Sequence, residues 1–210
     1  MKMAGRIVKI TILVLIFCVA SAFIFRFWLG SHYPAPMRRL LPTETLRAAH
    51  AAGNLEVKTQ EIRIDYEDPE EGLFFAAHML VAPSTGSLQV TVRYNRSTLA
   101  KLEERHGDAF DPEAETPFTY RIFACTDSDE TGDELVGTTY SPVATLPDEF
   151  AMYRYERLAF EGLSLDGVFW IRLDIYRTGA EEPEGSIYIY ENHEKYNEFT
   201  DYKIENGELS

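Results

Sequence analysis

Cysteine is nearly missing. The 210 residues hold two, Cys18 and Cys125, and Cys18 lies in the longest apolar run. A domain built from the rest of the chain has one thiol and forms no internal disulfide, so packing alone must hold its core. That excludes the small stapled scaffolds of secreted proteins and suits a bacterial envelope protein with a larger core. Positive charge is also scarce, with 20 Lys and Arg against 34 Asp and Glu and a net charge of −14. Lys2, Arg6, Lys9 and Arg26 all stand in residues 1–29, which carry no acid. The remainder therefore sets 16 basic residues against 34 acidic ones, a net of −18. Such a field repels phosphates and excludes nucleic acid as a partner drawn in by long-range attraction.

Catalytic signatures are missing as well. There is no phosphate loop and no dinucleotide fingerprint. The five histidines, His32, His50, His78, His106 and His193, are not paired at metal-ligand spacing. His193-Glu194 opens a zinc-protease pattern, but Asn197 stands where the second His is required. Ser164 in GLSLDG lacks the second glycine of a nucleophile elbow, which Asp166 replaces. These gaps favour a non-enzymatic protein. An envelope hydrolase using scattered acids or His193 is the alternative.

The most prominent feature present is IVKITILVLIFCVASAFIFRFWL, residues 7–29. At ~1.5 Å per residue it spans roughly 35 Å as a helix, enough to cross a ~30 Å hydrocarbon core with some tilt. Lys9 and Arg26 can snorkel to the headgroups, and Phe27 and Trp28 suit the interface. Lys2, Arg6 and Lys9 place residues 1–6 in the cytoplasm by the positive-inside rule, and the C-terminal part outside. Arg38 and Arg39 close behind the run oppose that orientation. Ala20-Ser21-Ala22 also offers a signal-peptidase site, so secretion after cleavage following Ala22 is the alternative to an uncleaved anchor. Cleavage there would leave the greasy terminus FIFRFWLG, which favours the anchor.

Residues 30–54 carry Pro34, Pro36 and Pro42 and then a helix-forming stretch capped by Thr43 and stopped by Gly53. They predict a semi-rigid juxtamembrane spacer with one short helix. From residue 55 to 206 the apolar period is two. In SLQVTVRYN, Leu88, Val90, Val92 and Tyr94 alternate with Gln89, Thr91 and Arg93, which predicts one buried and one solvated face. Residues 97–106 predict a second short helix. Residues 149–160 predict a single long strand, and VFWIRLDIY predicts a strand with Phe169, Ile171, Leu173 and Ile175 on one face. About eight strands with frequent turns predict a mainly β fold, an N-terminal transmembrane helix followed by an antiparallel β-sandwich. A closed β-barrel is the alternative.

Two constellations are candidate sites. Residues 127–138 partly follow a calcium loop, with Asp127, Asp129, Thr131 and Asp133 as oxygen donors at alternate positions. Thr138 stands where a bidentate Glu belongs, which favours a solvated hairpin turn over a calcium-dependent adhesion module. Tyr153 with Tyr155, and Tyr188 with Tyr190, are each two residues apart on a strand, and Trp170 lies between the pairs. If they share a face, they form an aromatic platform able to grip an envelope protein or glycan, the lipid bilayer being the other partner through residues 7–29.

Overall fold

The structure is a computed structural model that describes residues 2–31, 33–62, 72–128, 135–192 and 198–204, with the side chains of the first helix described at 9–25 and 28. The chain divides into two compact units, Met1–Ala35 and Pro36–Ser210.

The first unit is one helix, α1, Lys2–Ser31. Its described apolar side chains are exposed: Leu13 is 70% exposed, Phe17 71% and Phe23 72%. Phe25 and Trp28 stack on each other at 6.3 Å. Among the described residues, no helix is long and apolar enough to cross a membrane.

The second unit is mainly β, with few helices. Ten strands are described: β1 Lys58–Glu61, β2 Phe75–Ala82, β3 Ser87–Asn95, β4 Phe118–Ser128, β5 Leu135–Tyr140, β6 Ala144–Phe150, β7 Tyr153–Phe160, β8 Trp170–Arg177, β9 Pro183–Glu191 and β10 Thr200–Asp201. Two helices join them, α2 Glu44–Ala51 and α3 Arg96–His106. Thr43 caps α2 by accepting from the Leu46 N–H, and Asn95 caps α3 in a reciprocal box with Thr98. The strands form two antiparallel sheets. Sheet A runs β10-β1-β2-β3-β7-β6, and sheet B runs β5-β4-β8-β9. No strand pairing joins them among the described residues, an arrangement consistent with a sandwich.

The inner faces follow the period-two pattern. Leu88, Val90 and Val92 of β3 and Leu158 and Phe160 of β7 share one core with Ile122 of β4 and Ile171, Leu173 and Ile175 of β8. Each such side chain contributes about 1.5–3 kcal/mol on burial. Phe74, Tyr94 and Phe118 close one end of this core with edge-on contacts of 5.0–6.0 Å.

Four features differ from the sequence expectation. The outer face of β3 is not solvated: Gln89, Thr91 and Arg93 are as buried as their neighbours. Arg93 lies against the Phe75 and Tyr153 rings, and the cover over Gln89 and Thr91 is the stretch 37–46, expected as a spacer. Met37, Leu40, Leu41 and Leu46 are buried, and the Gln89 amide bonds both the N–H and the carbonyl of Leu41 at 2.7 Å. Thr91 donates to the Met37 carbonyl at 2.8 Å. Second, the long strand expected at 149–160 is broken by a tight reversal at Ala151, which takes φ +57°. Two-residue hairpin turns need such an angle, and glycine usually supplies it, so no turn signal stood in the sequence. Third, a strand that the sequence did not suggest, β6, lies at the edge of sheet A, where among the described residues it pairs with β7 and tolerates the missing N–H of Pro147. Fourth, Phe169 does not join Ile171, Leu173 and Ile175; it precedes β8 and is 53% exposed.

Gly137 in β5 sits opposite Cys125, where β4 has a register shift. A Cβ there would stand 2.6 Å from Phe123 Cζ and closer still to the Ala124 carbonyl oxygen. Backbone cannot yield as a side chain does. Gly137→Ala should therefore cost about 2 kcal/mol in a urea melt. A change below about 0.5 kcal/mol would show that β5 shifts freely at the sheet edge.

Candidate functional site

Of the calcium-loop residues, Asp127 is exposed near the end of β4, and its backbone carbonyl accepts from Cys125 Sγ at 3.2 Å. Asp129, Thr131 and Asp133 lie outside the described residues. Among the described residues, no group of three or more His, Cys, Asp or Glu could hold a metal ion. His193 and Asn197 also lie outside them. Ser164 is engaged locally: its Oγ accepts from the Asp166 N–H at 3.2 Å, the geometry of a turn rather than of a nucleophile.

The aromatic residues do not form one platform. Tyr153 and Tyr155 belong to sheet A, and Trp170, Tyr188 and Tyr190 to sheet B. Tyr153 and Tyr155 are 6.4 Å apart, but Tyr155 is only 1% exposed, and burial pushes its hydroxyl pKa up. The Arg93 guanidinium lies 4.6 Å from the Tyr153 ring centre and 5.2 Å from that of Phe75. These rings are occupied in packing and cation–π contacts. Tyr188 and Tyr190 are two apart, yet Tyr188 is 56% exposed and Tyr190 only 7%. A register shift explains it: Ile171 pairs with Tyr190 and the next residue, Arg172, with Tyr188. The extra residue in β9 reverses the alternation, as a bulge does. Tyr190 joins the core beside Phe199.

What remains is a ladder across the outer face of sheet B. Phe123 of β4, Trp170 of β8 and Tyr188 of β9 follow one another with ring centres 5.6 and 5.4 Å apart and planes at 49° and 75°. Phe123 was not anticipated. The signal was there: an aromatic ring on the polar phase of FTYRIFAC, with Thr119 and Arg121. Beside the ladder the Arg172 guanidinium forks onto Asp174 at 2.7 and 3.0 Å, and Ser186 donates to the same carboxylate at 2.6 Å. The hydrogen bonds to Asp174 hold the Arg172 pKa up, with a smaller contribution from Tyr188. Arg121 stacks over Tyr176 at 5.0 Å on the same sheet. Flat rings flanked by a fixed fork of donors and acceptors can bury apolar surface and orient a polar ligand together.

No known protein family, curated protein or solved structure matches this chain.

Two buried polar sites lie elsewhere. Inside the sandwich the Glu156 carboxyl accepts from the Tyr94 hydroxyl at 2.7 Å. Burial pushes the Glu156 pKa above 4.5, opposed by the hydrogen bond from Tyr94 and the charge of Arg154. The Tyr120 hydroxyl stands beside the same carboxyl group, but no partner meets hydrogen-bond geometry at its oxygen, so that contact is electrostatic. On the outer face of sheet A, Arg39, His78, Gln89, Thr91 and Arg157 line a cavity of about 10 Å³. It has room for about one water and is too small for a substrate. Burial, aided by the charge of Arg38, lowers the His78 pKa to about 4.

Proposed function

We propose that the protein is a membrane-anchored, extracytoplasmic binding module of a bacterial cell envelope, non-enzymatic, that grips a protein partner or glycan. The observation that carries the contact is the Phe123–Trp170–Tyr188 ladder, half-buried at Phe123 and Trp170 and exposed at Tyr188, beside Arg172 and Asp174. Aromatic anchors next to a guanidinium are the residue types that dominate binding energy at protein interfaces, and their rings also stack on sugars. The anchor reading is supported by the sequence of residues 7–29 and by the exposure of α1 side chains all around the helix. The basic head of the chain supports a cytoplasmic N-terminus.

Two measurements test this reading. The intact mass of the native protein in the alkaline-washed membrane pellet should include residues 7–29; a chain that starts at Phe23 and leaves with the wash sinks the anchor. Tyr188→Ala and Trp170→Ala should keep the melting temperature within a few degrees while losing about tenfold or more in binding to the envelope fraction. Unchanged binding by both variants removes the ladder as the contact.

A further inference from the structure

We propose that β5 is a self-association edge: two copies of this chain pair β5 against β5, antiparallel, and join two four-stranded sheets B into one of eight strands.

As described, the two sheets end in four edges, β10 and β6 in sheet A and β5 and β9 in sheet B. An edge strand offers its backbone to any other strand, and proteins blunt it with proline, charge, bulges or brevity. Three of these edges are blunted. β10 is two residues long. β6 carries Pro147, Asp148 and Glu149. β9 opens with Pro183 and Glu184 and shifts register twice against β8. β5 has none of these devices. LVGTTY holds no charge and no proline, residues 135–139 are exposed, and among the described residues β5 pairs with β4. The register shift in that pair puts the extra residue, Thr126, in β4, so β5 itself stays regular. Leu135 and Val136 are 45% and 56% exposed, and Val, Thr and Tyr favour strand pairing.

Charge and symmetry decide the occupant. The chain beyond residue 29 carries −18, yet this edge is neutral. It gives a basic segment nothing to hold, and it lets a second acidic copy approach. Identical strands related by a two-fold axis pair antiparallel, with the axis normal to the sheet. Such an axis keeps Asp127, exposed opposite Val136 at the start of β5, away from its counterpart. It also leaves the stretches 37–46 of both copies on one side, over the two sheets A, and both aromatic ladders on the other. Both chains then enter their domains from the same side, as two anchors in one membrane require; that last step rests on the anchor reading above.

The test is the mass of the full chain in detergent, measured by light scattering. The wild type should carry two chains per particle. Thr138→Lys combined with Thr139→Lys puts one charge on each face of the edge. This variant should self-associate about tenfold more weakly or worse, while its melting temperature stays within a few degrees. Tyr188→Ala, at the opposite edge of sheet B, should stay dimeric, so the ladder and this edge fail separately. One chain per particle in the wild type overturns the pairing and leaves β5 to a strand of another protein. A dimer that survives both lysines also overturns it. If the lysine variant does not fold, hydrogen exchange decides: wild-type β5 amides should exchange faster after about a hundredfold dilution, and equal exchange overturns the pairing.

Discussion

Gln89→Leu is expected to destabilise the protein by about 3 kcal/mol and to open it to trypsin at Arg38 and Arg39. Gln89 is 5% exposed, and its amide is matched to the N–H and the carbonyl of Leu41. Leucine has a similar volume and neither polar group. The change therefore leaves two backbone groups unpaired under the cover, at about 1–3 kcal/mol each if they stay buried. The alternative open to the chain is to lift the stretch 37–41 off the sheet, which exposes Met37, Leu40 and Leu41 and costs apolar burial instead. Either response is large. A urea melt measures the loss, and limited proteolysis tells the two apart, since only lifting makes Arg38 and Arg39 cleavable. A melt within about 0.5 kcal/mol of wild type, with no new cleavage, would show that this stretch is not held through Gln89.

The same residue shows where the sequence was legible and where it was not. The alternation from Leu88 to Tyr94 located β3 and its core face, because a period of two depends only on neighbours along the chain. The second burial of β3 comes from Leu41, 48 residues away. Nothing local in SLQVTVRYN distinguishes a face covered by a strap from one covered by water, except that Gln89 and Thr91 carry donors and acceptors suited to backbone. The prolines of residues 30–42 suggested a semi-rigid spacer, yet proline suits an extended strap equally, because a fixed φ lowers the cost of ordering it. The candidate site failed for a related reason. Tyr188 and Tyr190 were placed on one face by spacing, and one extra residue in β9 reversed them. A bulge is set by pairing across strands and leaves no composition of its own. Phe123 was overlooked although its phase in β4 was readable.

Glu156 gives the second large effect, and it separates two titrations that the wild-type protein superimposes. Glu156→Ala should cost about 3–4 kcal/mol, since it empties a core position and leaves the Tyr94 hydroxyl without its acceptor. Glu156→Gln keeps the acceptor and removes only the charge, so its effect depends on pH. With the folded pKa of Glu156 raised above 4.5, the native state holds a proton that the unfolded state has released, and stability falls as pH rises through that interval. His78 acts with the opposite sign. Its folded pKa is lowered from 6.5 to about 4, so the unfolded state binds the extra proton and stability is lost as pH falls through that window, by about 3 kcal/mol in total. From about 4.5 up to the folded pKa of Glu156 the two slopes oppose each other, and the wild-type profile should be shallower there. Glu156→Gln should unmask the histidine: stability climbing steadily with pH up to about 6.5, then level, and above wild type on the alkaline side. Urea melts of both proteins across that range measure the difference. Parallel profiles would mean that Glu156 titrates alike in the folded and unfolded chains, and that Tyr94 and water keep its carboxylate solvated enough to remain ionised inside the sandwich.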